Sequence, residues 1–257
     1  DDRGEILSYP VAFWGTVLGS AFMVGWLVWS GMSLWVAMSF LLVAMVLFIG
    51  LTRIVAESGM AEAVAPTIAP GVIVSAVGAP AIGPRGLAAI AMSYVWCSDI
   101  RTFVMASAAN GLKLAEHTQE RKRPLFWLMA AAVLVSAPLS IFLTTRWAYR
   151  VGGVTMNSWF FGGGPLAPLK WVQVHFLTPE GPNLVGWLLT GLGAALMALL
   201  AAMRQRFLWW PFHPIGFALA PVWIMDQQWM TILLSWLAKV TILRYGGVKT
   251  YQRARGF

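Results

Sequence analysis

The sequence predicts an all-α fold, a polytopic transmembrane helical bundle with broken or re-entrant helices, and three observations carry that prediction. No charged residue occurs between Glu5 and Arg53. That stretch is interrupted once, at Ser30-Gly31-Met32-Ser33, leaving apolar segments 8–29 and 34–52, each near the ~20 residues a helix needs to cross the ~30 Å hydrocarbon core. Hydrophobic residues make up 59% of the chain and charged residues 11%, against ~25% charged in a soluble domain. Finally, prolines and glycines crowd the apolar stretch 60–98 so densely that no uninterrupted helix can run through it. The expected solvent is lipid, where an open backbone group or unpaired charge costs more than in water.

The elements follow in order. Segments 8–29 and 34–52 form a hairpin, and Gly15-Thr-Val-Leu-Gly19 is a small-xxx-small helix-packing motif. Thr52-Arg53-Ile-Val-Ala-Glu57-Ser-Gly59 reads as a short polar exit, with Arg53 and Glu57 four apart on one helix face and able to pair. Between 60 and 98, Pro66, Pro70, Pro80 and Pro84 alternate with Gly71, Gly78, Gly83 and Gly86; proline removes an intrahelical hydrogen bond and glycine loosens the backbone. Two short or re-entrant helices, 62–79 and 87–98, are expected there, or else an ordinary pair of kinked spans joined by a loop. Broken helices are tolerated at membrane depth only inside protein or around a water-filled cavity, which is why they mark substrate sites in transporters.

Residues 102–120 predict an amphipathic surface helix, with Phe103, Val104, Leu112 and Leu114 against Lys113, Glu116, His117 and Glu120, anchored by Arg121-Lys122-Arg123. A span follows at 125–145, kinked at Pro138. The stretch 152–182 reads as a long connection with an apolar piece at 166–177, its Trp159, Phe160, Phe161 and Trp171 suited to the headgroup region. A further span occupies 184–203. The last pair is irregular: 208–225 holds Pro211, Pro214 and Pro221, and 229–243 is short and carries Lys239, with Asp226-Gln227-Gln228 between them.

Charge sets orientation and excludes one class of partner. The net charge is +8, but the bases are scattered at segment ends instead of forming a stripe, so nucleic acid is not an expected partner and the lipid bilayer is. An N-terminus in the cytoplasm puts Lys113, Arg121, Lys122, Arg123, Arg204, Arg206, Arg244, Lys249, Arg253 and Arg255 inside, and leaves Arg85, Arg146, Arg150 and Lys170 outside. Cys97 is the one cysteine, which excludes an internal disulfide and a cysteine-rich metal site. His117, His175 and His213 lie on different segments, so no metal centre is expected. There is no HExxH, GxSxG, Walker A loop or GxGxxG after a strand; the chain does not read as an enzyme, and no cofactor is implied.

Polar residues beside apolar segments are the better clue, since titratable groups at membrane depth are functional candidates by default. Glu57, Asn110 and His213 are the residues expected near a translocation route. Glu57 and His213 can change protonation, Asn110 both donates and accepts, and all three stand at ends of interrupted or terminating helices. A boundary salt bridge for Arg53 and Glu57 is the plainer alternative. His213 lies in Trp209-Trp210-Pro211-Phe212-His213-Pro214, where aromatic belt residues explain the tryptophans but not a histidine between prolines.

That last stretch carries a resemblance. Trp209-Trp-Pro-Phe-His-Pro-Ile-Gly-Phe-Ala218, with Trp236-Leu-Ala-Lys239, Leu243-Arg-Tyr-Gly-Gly247, Tyr251 and Arg253, resembles the C-terminal part of a prokaryotic family of large membrane proteins related to the oligopeptide transporter superfamily. Arg53-Ile-Val-Ala-Glu57-Ser-Gly59 and the run from Arg101 through Asn110 and Lys113 to Glu116 are similar to two further motifs of that family, in the same order. The resemblance implies an ion- or proton-coupled secondary transporter of a small polar solute such as a peptide or metal chelate, multi-pass in the prokaryotic cell membrane. Family members are about twice as long, so residues 1–257 are expected to be one integral membrane domain, a fragment or half of a longer chain. The missing N-terminal half or other membrane subunits are its expected partners. The alternative is a non-transporting membrane subunit packed within a larger complex.

Overall fold

The computed structural model describes residues 5–58, 63–98, 103–115 and 123–254, and all regular structure among them is helical. The chain forms two compact units, Asp1–Ala63 with Thr67–Ala195, and Val64–Pro66 with Leu196–Phe257.

The first unit opens with α1 (Tyr9–Trp29) and α2 (Leu34–Ser58). Pro10 falls in the first turn of α1, where its missing N–H removes nothing. The turn between them lies where the sequence places it: Gly31 has φ 113, and the Met32 amide donates to the Leu27 carbonyl at 3.1 Å. The polar exit is helical as far as Ser58. Thr52 to Ser58 continue α2, because the Arg53–Glu57 spacing suits a helix as well as its end. Hydroxyls inside these helices return to the carbonyl one turn back, Thr16 to Ala12, Ser39 to Trp35 and Thr52 to Phe48, so their donors are satisfied without a partner from elsewhere.

The proline-rich stretch holds α3 (Ala69–Val77), α4 (Ala79–Met92) and the single turn α5 (Tyr94–Cys97). This corrects the expected pair 62–79 and 87–98. The first helix begins later, and the second begins at Ala79 and is broken at Gly83 (φ 75, ψ 168). The prolines start helices here instead of ending them: Pro70 and Pro80 fall in first turns, and Pro84 opens the half after the Gly83 break, all positions where a proline costs no hydrogen bond. Arg85 lies against the α1–α2 turn, its carbonyl 3.5 Å from where a Gly31 Cβ would stand. Trp96 packs edge-on to Phe40 (5.8 Å) and Phe48 (6.3 Å) midway along α2, and Phe103 stacks on Phe48 at 5.2 Å. Lys113 reaches the Ala56 carbonyl near the end of α2. Arg85 therefore lies near one end of α2, Trp96 and Phe103 beside its middle, and Lys113 near its other end.

These pieces are the best-buried part of the molecule. Val36, Phe40, Ile73, Leu87, Ile90 and Cys97 belong to one core of buried residues, and Trp171 packs against it. Broken backbone is thus enclosed by protein, the condition under which hydrocarbon-depth breaks are tolerated.

Helix α6 (Val104–Ala115) falls within the segment 102–120 expected to be an amphipathic surface helix. Val104 and Leu114 are exposed and Ala106 is buried. Ala106, half-buried Asn110 and Lys113 recur at the i, i+4, i+7 spacing of one helix face, the face from which Lys113 reaches α2. A small residue allows close approach, and the polar ones find partners. Glu116, His117, Glu120 and the Arg121-Lys122 pair lie outside the described residues. Helix α7 (Arg123–Val151) passes through Pro138 as one continuous helix instead of ending near 145. The expected connection 152–182 is mostly helical: a 3-10 turn (Gly153–Thr155), a π turn (Trp159–Gly163) and α8 (Gly164–Leu177). Helix α8 packs on the broken segment through Trp171, whose ring lies 5.7 Å from that of Tyr94.

Helix α9 (Leu184–Arg206) matches its expected span, and the second unit continues with α10 (Pro214–Leu219) and α11 (Trp223–Ala254). Asp226-Gln227-Gln228, expected between helices, lies in the opening turns of α11, where a carboxylate suits the helix dipole. The short helix 229–243 is therefore the middle of a longer one. It bends at Gly247 (φ 71, ψ 179), and beyond the bend the Tyr251 ring centroid lies 5.7 Å from the Lys239 Nζ.

Helices α1, α2, α7 and α9 are long and apolar enough to cross a membrane. None of the residues in α7 or α9 is buried. Apolar helices left this bare are not stable against water, which points to membrane association.

Candidate functional site

The most constrained part of the broken segment is the junction of α3 and α4. In a continuous helix the Ala79 amide would donate to the Ser75 carbonyl. Gly78 (φ 86, ψ 147) turns the chain out of the helix, and the two groups of that lost bond take separate partners from the segment joining α8 to α9. The Ala79 amide donates to the Glu180 carbonyl at 2.9 Å, and the Asn183 amide donates to the Ser75 carbonyl at 2.8 Å. The Asn183 Oδ1 then accepts from the Gly186 amide at 2.8 Å and caps α9. The break is thus closed by a backbone strap, Glu180-Gly181-Pro182-Asn183, with both orphaned groups satisfied. The contact is so close that a Cβ at Gly78 would stand 3.1 Å from Gly181 Cα and Pro182 Cδ.

Glu57 stands near the end of α2, where its Oε1 accepts from Arg53 Nε at 2.7 Å. Both side chains are largely exposed, 78% for Arg53 and 52% for Glu57, so the pair is of the weakly stabilising surface kind. Asn110 lies on the α6 face that packs on α2. Lys113 on the same face donates to the Ala56 carbonyl in the last turn of α2, filling one of the acceptors a helix end leaves open. Glu57 and Asn110 therefore belong to two helices packed together within the first unit, while His213 belongs to the second.

His213 caps α10. Its Nδ1 accepts from the Ile215 amide at 3.1 Å, so in the neutral ring the proton resides on Nε2. The imidazole borders a hollow of about 350 Å³ lined by Leu200, Pro211, Phe212, His213, Gly216 and Phe217. Beside it the Trp210 ring packs on Phe212 at 5.7 Å, and the Trp210 Nε1 is shielded from solvent with no hydrogen-bond partner among the described residues. His175 is engaged elsewhere: its Nδ1 is 2.8 Å from the Trp171 carbonyl, and its ring lies 4.3 Å from that of Trp171. Among the described residues no three His, Cys, Asp or Glu side chains gather as metal ligands would.

A family model matches residues 1–257 in full. The chain belongs to a family of unknown function (DUF6785). No curated protein and no solved structure matches it. Membership of this family assigns no residue a role, so the geometry has to speak for itself.

The strap and the shielded Trp210 indole are structural features that the sequence reading does not single out. A signal for the first is present: Gly181-Pro182-Asn183 directly before an apolar run has the form of a helix start with an Asn cap. Nothing in the sequence joins it to Gly78, since that pairing spans about a hundred residues. The Trp210 indole carries no sequence signal that separates it from its belt neighbour Trp209.

Proposed function

We propose that the chain is a multi-pass membrane protein of the prokaryotic inner membrane that acts, alone or with a partner half, as an ion- or proton-coupled secondary transporter of a small polar solute. One observation carries this reading: a twice-broken segment, α3 to α5, buried within the first unit with the free backbone groups at Gly78 satisfied by a strap from another part of the chain. Buried broken helices are uncommon in membrane proteins whose only task is to pack, because each break costs backbone hydrogen bonds; carriers use them to present polar backbone to a solute. The solute class, a peptide or metal chelate, comes from the resemblance to oligopeptide-transporter relatives. Glu57 near the end of α2 and Asn110, which stands in the middle of α6 and not at a helix end as expected, supply polar side chains to this packed pair of helices.

A second reading has its own support. Gly15 and Gly19 have open space where a Cβ would stand, and α7 and α9 bury no residue, as in a subunit whose faces await other membrane helices.

The two separate on uptake by the full-length protein in proteoliposomes under an imposed proton gradient, with short peptides and metal chelates as solutes. Gradient-driven accumulation is expected, reduced at least tenfold in Glu57→Gln or Asn110→Ala at unchanged folded yield. Absence of accumulation for every solute, with the protein co-purifying in a defined membrane assembly, establishes the subunit reading instead.

A further inference from the structure

We infer that the hollow beside His213 is a binding site for one anionic phospholipid. It lies at the level where a phospholipid places its ester groups, if α9 is a membrane span. Leu200, which lines it, is one helical turn before Arg204, and Arg204 and Arg206 are the basic residues that end α9. The hollow is apolar apart from its histidine, as an acyl chain requires, and its volume of about 350 Å³ falls within the range of small-ligand sites.

Three groups match the polar end of such a lipid. His213 spends Nδ1 on the Ile215 amide, which leaves Nε2–H to donate, and an ester carbonyl only accepts. Arg204 and Arg206 have no acidic partner among the described residues, so a phosphate finds uncompensated positive charge one turn from the hollow. A small polar solute fits this lining poorly. The site is thus separate from the transport reading, and the measurement below uses no transport.

Full-length protein stripped of lipid in detergent and titrated with phosphatidylglycerol, phosphatidylcholine or a short-chain quinone, read by native mass spectrometry, tests the assignment. One phosphatidylglycerol per chain is expected to bind in preference to phosphatidylcholine, with the quinone failing to displace it. Arg204→Gln with Arg206→Gln should abolish the preference for the anionic lipid. His213→Asn keeps a cap acceptor for the Ile215 amide but shortens the donor, and should weaken binding roughly fivefold, the loss of about one hydrogen bond. Leu200→Phe, which narrows the hollow without touching the cap, should weaken it as well. Equal retention by the parent and all three variants, meaning general annular lipid only, overturns the assignment, as does displacement by the quinone.

Discussion

At Gly78 two constraints coincide on one residue. Its φ of 86 with ψ 147 is backbone that side-chain-bearing residues avoid at a cost of about 1–3 kcal/mol, and the strap leaves no room for a Cβ. Gly181, on the other side of the same contact, has open space at its own Cβ position. Gly78→Ala is therefore expected to destabilise the protein by about 2–4 kcal/mol, strain and close contact together. Gly181→Ala should change stability by less than ~0.5 kcal/mol, as surface substitutions do. Thermal unfolding of both variants in one detergent gives the comparison; equal effects would mean that the strap does not seat on Gly78. Sequence alone ranks Gly71, Gly78, Gly83 and Gly86 together, because what separates them is the neighbour each one meets. For His213, legibility was partial: its place between prolines marked it, while its cap on Ile215 and the hollow it borders follow from how α10 folds.

Among the elements, the contact of α6 with α2 is one that the sequence does not single out. Of the apolar set expected in 102–120, Phe103 stacks on Phe48 while Val104 and Leu114 are exposed, and α6 also meets α2 through Lys113, on the face that carries buried Ala106. Apolar residues facing outward lose nothing when the surroundings are apolar, so the usual rule that hydrophobic means inside gives no direction there. Lys113 is central to this packing, since its ammonium fills an acceptor in the last turn of α2 and sits favourably at the negative end of that helix's dipole. Lys113→Met, which keeps the stem, is expected to cost about 1 kcal/mol and to raise hydrogen exchange in peptides covering 104–115 while leaving α4 protected. Unchanged exchange in α6 would show that the contact contributes nothing.

For the whole molecule, the distribution of lysine and arginine predicts an N-terminus in the cytoplasm. Lys113 and Ala56 share one end of α2, while Arg85 lies with the α1–α2 turn at the other. Under the multi-pass reading, the end of α6 faces the cytoplasm and the strap at Glu180 faces the opposite side. In a Cys97→Ala background, an impermeant thiol reagent applied to intact cells should label Glu180→Cys and spare Leu114→Cys. The reverse pattern overturns the topology, whereas labelling of neither leaves the strap covered and rejects its placement at an accessible face.

The sequence by itself determined where the long apolar helices run, because α1, α2, α7 and α9 are written in uninterrupted hydrophobic stretches, and a helix satisfies its own backbone from local residues alone. It determined that 60–98 had to be broken, because proline and glycine act on their own φ and ψ. Only the tertiary structure decided where the breaks fall and how they are healed: which of four prolines begins a helix, which glycine turns the chain, and that residues 180–183 return to hydrogen-bond the gap at Ser75 and Ala79. It also decided that 164–177 and 223–254 are helices, the second bent at Gly247. Those outcomes depend on partners distant in sequence, and a hydrogen bond between distant backbone groups leaves no mark on the residue types that make it.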